Sequence, residues 1–584
     1  MNKFKLGLLV YDTSHCDILD FYADKLDTVY FNSDGNLYFG DKIFDKTKEE
    51  PYNPLRIDLN AIEEILRLNY DVILIYDALE FFLQLDINCY HLPQGIREGN
   101  YIYRLENDYA FYLRELNIKL RCKSRNYRYF KTQFVNFSSY VPHLNFEDLF
   151  KTFSQNIVFD RECSQIEKFD LIFKNYKWLI ENQLGINFWE NKYTPYTVGS
   201  LIKKAYLKKS FPQEKNKLEA YQKLHPISER LDMYLRERKL LMGGILYAKI
   251  GTYSNCKKYD INSHYSAVTL FVQDWHSLKR IKLEEINPQF EQILVLKNVN
   301  LSLKKDMPGV FRNPFQEEYR LEDNIIIEQW AVYKSLLDIL NYFYDIDFEV
   351  DRIYQFQKKP DLIMSDLILR NYRAKQTARI NNDKPLTMIS KLILNNIHGK
   401  MVQLYINQEK IYQGIDRLNS EIKVDYSQHF DFIRGSLIYS MANVKILNDI
   451  KYLCEIYGPK TIKEKLIYVD TDCLVLEDIE LPYITSSELG DYKLELEACN
   501  FTVLASKIYM WEDFSHETSG VFAGHIKEEV LKAIPPDLNY QQKVEFLKTT
   551  LIPTVVRKRT GEGLIYEQIL RPVVAQDFRD EILD

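Results

Sequence analysis

The chain has 584 residues, of which 46% are hydrophobic, 14% aromatic and 27% charged, with a formal net charge of −7. The aromatic content excludes a solvating disordered chain, and only 20 glycines and 18 prolines exclude a collagen- or linker-like one. The length suits roughly four domain-sized units, each able to bury its own core.

Phe4 to Asp12 is apolar and β-prone, and its run Gly7 to Tyr11 is too short for a signal segment or a membrane span. Asn60 to Leu68 has the spacing of an amphipathic helix and leads into the apolar run Val72 to Tyr76. Strand-like alternation follows from Tyr101 to Lys131, and helical spacing returns from Glu167 to Gln183, so the first 190 residues read as one α/β unit. Gly243-Gly244 precedes an apolar strand, Ile245 to Ile250, and a second strand ends in Lys258 to Ile261. Pro308, Pro314 and Pro360 break the mixed stretch that follows. Thr387 to His398 predicts a helix, a polar stretch runs to about 435, and Leu466 to Leu476 reads as strand.

Eight cysteines with no C-x-x-C spacing suggest neither a disulfide framework nor a zinc site, and imply a reducing interior. The acidic balance means that a nucleic-acid role needs local basic stripes. Two exist: Lys203, Lys204, Lys208, Lys209, Lys215 and Lys217, and Arg121, Lys123, Arg125 and Arg128 alternating with Tyr127 and Tyr129. Taken alone, either stripe reads more readily as a solvated charged face.

Four short constellations carry chemistry. In Tyr468-Val469-Asp470-Thr471-Asp472-Cys473, two acids sit inside an apolar, β-prone run, as in a hairpin presenting carboxylates at its turn. Hard cations such as Mg²⁺ take such oxygen ligands together with substrate phosphates, although an ordinary exposed turn has the same pattern. Tyr259 to Ser266 places Asp260 at a strand end, which is also a common turn cap. On a helix, Lys391, Asn395 and His398 share one face, suited to a triphosphate and a sugar or simply to an amphipathic surface. Lys507-Ile508-Tyr509 alternates as a strand would, with cation and phenol on one side.

In order and content these four resemble the signature set of the family B DNA polymerases. Asp260 to Tyr265 is similar to D-x-x-S-L-Y-P with His264 for Leu and Ser266 for Pro. Lys391 to Gly399 is similar to K-x-x-x-N-S-x-Y-G with Asn396 for Ser and His398 for Tyr. Tyr468 to Asp472 matches Y-x-D-T-D, with Cys473 for the usual Ser, and Lys507 to Tyr509 matches K-x-Y. The spacing leaves room for the two insertions of the protein-primed branch. The resemblance implies a multidomain α/β and α+β fold: an RNase H-like, exonuclease-type domain (1–190), then a right-hand polymerase. Its expected parts are palm (191–269 and 436–510), fingers (366–399), thumb (511–584), and priming insertions at 270–365 and 400–435.

The same resemblance implies DNA-directed DNA synthesis, with DNA template and primer, deoxynucleotides and a terminal protein as partners, inside the cytoplasm of a host cell and with no membrane. Asp260, Asp472 and the Ile261 carbonyl would hold two Mg²⁺ ions, which Mn²⁺ can replace, supported by Asp470. Lys391, Arg370, Lys375, Asn395 and His398 would meet the nucleotide, with Tyr265 under its sugar. Ser263, Thr471, Lys507 and Tyr509 would contact primer and DNA. The substituted His264, His398 and Cys473 are expected to line the nucleotide site.

The exonuclease signatures, by contrast, are degenerate. Asp12 survives, but Ser14, Phe81, Asn136 and Tyr176 stand where the family carries acids. One carboxylate cannot hold two divalent ions, so proofreading is expected to be absent unless neighbours such as Asp77 or Asp108 take over. Two other readings share the motifs: template-independent or RNA-templated synthesis on the same palm, and a non-catalytic DNA-binding replication scaffold.

Overall fold

The computed structural model describes strands at 6–11, 15–20, 28–32, 37–39, 42–44, 72–75 and 116–117, and most residues from 133 to 574. The amino-terminal strands form an eight-stranded sheet in which Leu6–Tyr11 lies between its antiparallel partner His15–Asp20 and the parallel strand Val72–Ile75. Gln133–Asn136 continues the parallel part, pairing Asn136 with Ile75. The helix Gln165–Leu184 packs against this sheet, and its buried Phe169, Phe173 and Tyr176 form an aromatic cluster with Phe137, Tyr140 and Phe188. The expected helix Asn60 to Leu68 lies outside the described residues.

A seven-stranded antiparallel sheet forms the centre. Its order is Thr518–Phe522, Ile508–Glu512, Tyr492–Ala505, Gly251–Ile261, Cys473–Glu477, Leu466–Asp470, Leu246–Ala248. Alternation along Gly251–Ile261 sends Tyr259 and Ile261 into one apolar cluster, which also holds Ile446, Leu447 and Ile450 of the long helix Phe432–Tyr457. Lys258 and Asp260 therefore take the opposite face. This sheet runs on to Phe522, past the expected boundary at 510.

Residues 274–359 form a separate four-stranded antiparallel sheet, Asp274–Ile281, Tyr344–Lys359, Glu291–Leu303, Asn324–Tyr333, backed by the helix Lys334–Phe343. Two antiparallel helices, Leu362–Ile380 and Lys384–Val402, follow; each is capped by an aspartate, Asp361 and Asp383, accepting a backbone N–H of its first turn. Two-stranded hairpins occupy 405–425 and 551–572. Among the described residues, no helix is long and apolar enough to cross a membrane.

Candidate active site

The hairpin Leu466–Asp470/Cys473–Glu477 turns at Thr471-Asp472, and its second strand pairs with Gly251–Ile261 so that Asp260 lies opposite Cys473. The register is locked by the Ile261 N–H, which donates to the Asp472 carbonyl at 2.8 Å. Two acids 212 positions apart in the sequence thus stand side by side at the sheet's end. Burial, and then the negative charges of Asp260 and Asp470, push the Asp472 carboxyl up to about 7, against the pull of Lys258. Asp470 accepts from the Thr471 hydroxyl at 3.1 Å, and the Lys507 ammonium stands 3.6 Å away.

On its other side Asp260 lies opposite Lys493, whose ammonium is 2.9 Å from its carboxylate. Lys375, buried on the helix Leu362–Ile380, donates to the Ser263 hydroxyl at 2.9 Å. Burial, followed by repulsion from Arg379, Lys493 and Lys391, pushes its ammonium down to about 8. Lys375, Arg379, Lys391 and Lys493, together with Lys258 and Lys507, therefore gather at the same end of the sheet as Asp260, Asp470 and Asp472. Glu495 joins them: although burial alone would raise its carboxyl, Lys258, 2.8 Å away, Lys493 and Lys391 hold it below the usual range.

The Tyr265 ring stacks on His398, with centroids 4.3 Å apart and planes at 24°, and leans on Tyr439 at 4.8 Å. Burial pushes the His398 imidazole down to about 4, so the stack is uncharged at neutral pH. Lys391 and Asn395 are exposed on the same helix as His398.

The turn is held from beneath. The Thr471 N–H donates to the Ile245 carbonyl at 2.8 Å, and Gly244 packs against the Thr471 side chain. The buried Asn443 amide grips this segment at both ends, donating to the Gly243 carbonyl at 3.0 Å and accepting from the Ile245 N–H at 3.1 Å.

Several expectations need correction. Lys507 and Tyr509 do not share a strand face: Lys507 sits in the turn before Ile508–Glu512 with φ of 59° and is exposed, while Tyr509 is buried against Tyr468 and Phe501. The left-handed turn removes Lys507 from the strand's alternation. His264 and Cys473 do not line the nucleotide side. His264 is buried against the Ala442 carbonyl, and Cys473 belongs to the apolar cluster of Tyr468 and Phe501. Arg370 does not join the other cations. It projects from another side of its helix and donates to the Gln183 carbonyl at 2.6 Å, whereas Arg379 stands with Lys375. Lys493, Arg379, Glu495 and Asn443 were missed because no short motif marks them.

Of the exonuclease positions, Asp12, Ser14 and Phe81, with Asp77 and Asp108, lie outside the described residues, and only the backbone of Asn136 is described. Tyr176 is fully buried among aromatic rings, its hydroxyl 3.5 Å from the Tyr140 carbonyl.

A sequence model of the family described as "DNA polymerase type B, organellar and viral" matches residues 180–489. The chain belongs to this family and is a DNA-directed DNA polymerase. Its fold is similar to that of the Phi29 DNA polymerase. The complex of that enzyme with primer-template DNA and incoming nucleotide matches with a TM-score of 0.69 at 13% identity, over 98% of this chain and 100% of that one. Its binary complex with primer-template DNA gives 0.67 at 14%, and its complex with single-stranded DNA 0.65 at 14%, with the same coverage. No curated protein sequence matches the chain.

Proposed function

We propose that this polymerase adds deoxynucleotides to a primer hydroxyl on a DNA template by two-metal phosphoryl transfer centred on Asp260 and Asp472. The observation that carries this reading is the cluster of three adjacent carboxylates at one sheet end, where burial and then the charges of Asp260 and Asp470 raise Asp472 to about 7. Such an all-oxygen set at a strand end fits hard divalent ions, Mg²⁺ with Mn²⁺ as substitute. Asp260, Asp472 and the Ile261 carbonyl would hold them, with Asp470 in support. When bound, the ions would acidify the attacking hydroxyl and offset charge on the departing pyrophosphate.

The chain's own groups do the positioning. Lys375, Arg379, Lys391 and Asn395 orient the triphosphate, and the Tyr265–His398 stack sets the floor under the sugar and excludes a 2′-hydroxyl by bulk. Lys507 and Ser263 face primer and nucleotide, while Thr471 and Tyr509 support the acids from within. Asp472→Asn removes a ligand without changing volume. It should abolish incorporation on a primed template while DNA binding survives; Mg²⁺-dependent turnover by that variant would overturn the assignment.

The sheet 274–359 and the hairpin 405–425 occupy the two stretches where priming insertions are expected, which supports synthesis from a side-chain hydroxyl of a terminal protein. Residues 1–190 would then form an exonuclease-like unit, and the segments up to 269 and from 436 the palm. Residues 366–399 would be the fingers and the hairpin 551–572 part of the thumb. Incorporation with and without a candidate priming protein tests this. Tyr176, enclosed by rings where the family carries an acid, supports a unit without proofreading. A 3′-mismatched primer given Mg²⁺ and no nucleotides should stay intact; trimming would overturn it.

A further inference from the structure

We propose that His225, Asp274 and His276 form a transition-metal site, best suited to zinc, that joins the helical segment 198–237 to the four-stranded sheet. One donor atom from each residue lies within 4.8 Å of the others. His225 ends the helix Lys217–Leu224, while Asp274 and His276, two positions apart on the strand Asp274–Ile281, point to one face.

The tautomer of His225 drives the argument. Its Nδ1 lies 2.9 Å from the Tyr221 carbonyl, which only accepts, so Nδ1 carries the hydrogen. In the neutral ring Nε2 then presents a lone pair to both Asp274 oxygens, at 2.9 and 3.0 Å. A positive charge belongs between the two groups, and either a proton on Nε2, making an imidazolium–carboxylate pair, or a metal ion supplies it. The Tyr221 ring, stacked on His225 with centroids 4.1 Å apart, fixes the imidazole plane. A backbone carbonyl on the far nitrogen is the usual support of a metal-bound histidine. His276 adds a second imidazole, its Nε2 3.7 Å from Asp274.

Beside the cluster the buried Arg434 guanidinium pairs with Asp361 at 2.6 Å and stands 3.9 Å from Asp274, while the buried Asp431 accepts from the Trp275 indole N–H at 2.7 Å and from the Tyr221 hydroxyl. Two imidazoles and a carboxylate select zinc-like metals rather than Mg²⁺, and three protein ligands leave a fourth position for water at the half-exposed edge.

The test uses the full chain, loaded with Zn²⁺ or Co²⁺ and dialysed. One zinc per chain should be retained, and Co²⁺ should give a visible absorption band. Both should persist in Asp472→Asn, which disables the proposed polymerase centre, and disappear in His276→Ala and His276→Gln. Zinc should also raise the Tm of wild type but not of the His276 variants. Absence of the Co²⁺ band in wild type, or equal retention by the His276 variants, would reduce the cluster to an ion pair and overturn the proposal. Failure of polymerase activity in Asp472→Asn bears only on the other centre.

Discussion

Gly244 is packed so closely against Thr471 that a methyl group added to it would collide with the threonine hydroxyl and stand 2.8 Å from two of its carbons. Thr471 has a φ of 60° and lies between Asp470 and Asp472, so any displacement passes directly to both carboxylates. Gly244→Ala should therefore lower kcat/KM on the order of a hundredfold, the size expected when reacting groups shift by about 1 Å. Steady-state primer extension checks this; unchanged kinetics would mean the turn is positioned from elsewhere.

Asn443 holds the same segment through both ends of its amide. Asn443→Leu strands a buried N–H and a carbonyl, which should cost about 1–3 kcal/mol of stability. Denaturant unfolding measures it. Asn443→Asp keeps the acceptor for Ile245 but loses the donor to Gly243, and so should retain only part of the effect.

The raised Asp472 carboxyl makes the proposed centre a source of instability when divalent ions are chelated. A carboxyl at about 7 in the fold, against an ordinary 3.8, gives a penalty that is absent below 3.8, grows as pH rises, and is complete above 7. In chelator at pH 8, Asp472→Asn should thus be more stable than wild type by about 2 kcal/mol, allowing for solvent screening of this half-buried group. Thermal unfolding of both proteins at pH 5 should show a smaller gap. A gap independent of pH would show that ionisation of the buried carboxyl is not its cause.

Lys493 places an ammonium 2.9 Å from Asp260, where it competes with an incoming divalent ion. Lys493→Met should tighten Mn²⁺ binding without nucleotide by roughly fivefold, equivalent to about 1 kcal/mol. Lys493→Arg should not. Electron paramagnetic resonance of free Mn²⁺ reads the difference, and weaker binding by the methionine variant would show that the ammonium does not compete.

Read without the fold, the chain already disclosed its family and pointed to Asp260, Asp470 and Asp472 as candidate acids. Each of these lies in a short contiguous motif whose residue types are dictated by the chemistry, and neighbours such as Tyr468 or Ser263 survive beside them. The helix from Lys384 and the hairpin around Thr471 were legible for the same reason, since periodicity and apolar runs are local. The turn at Lys507, the outward course of Arg370, the Asp260–Lys493 pair and the grip of Asn443 on Gly243 and Ile245 were not. These depend on strand register and helix packing between segments up to 233 positions apart in the chain. Such contacts leave no pattern in either segment alone, because either partner would read as an ordinary lysine, arginine or asparagine until packing brought its counterpart into place.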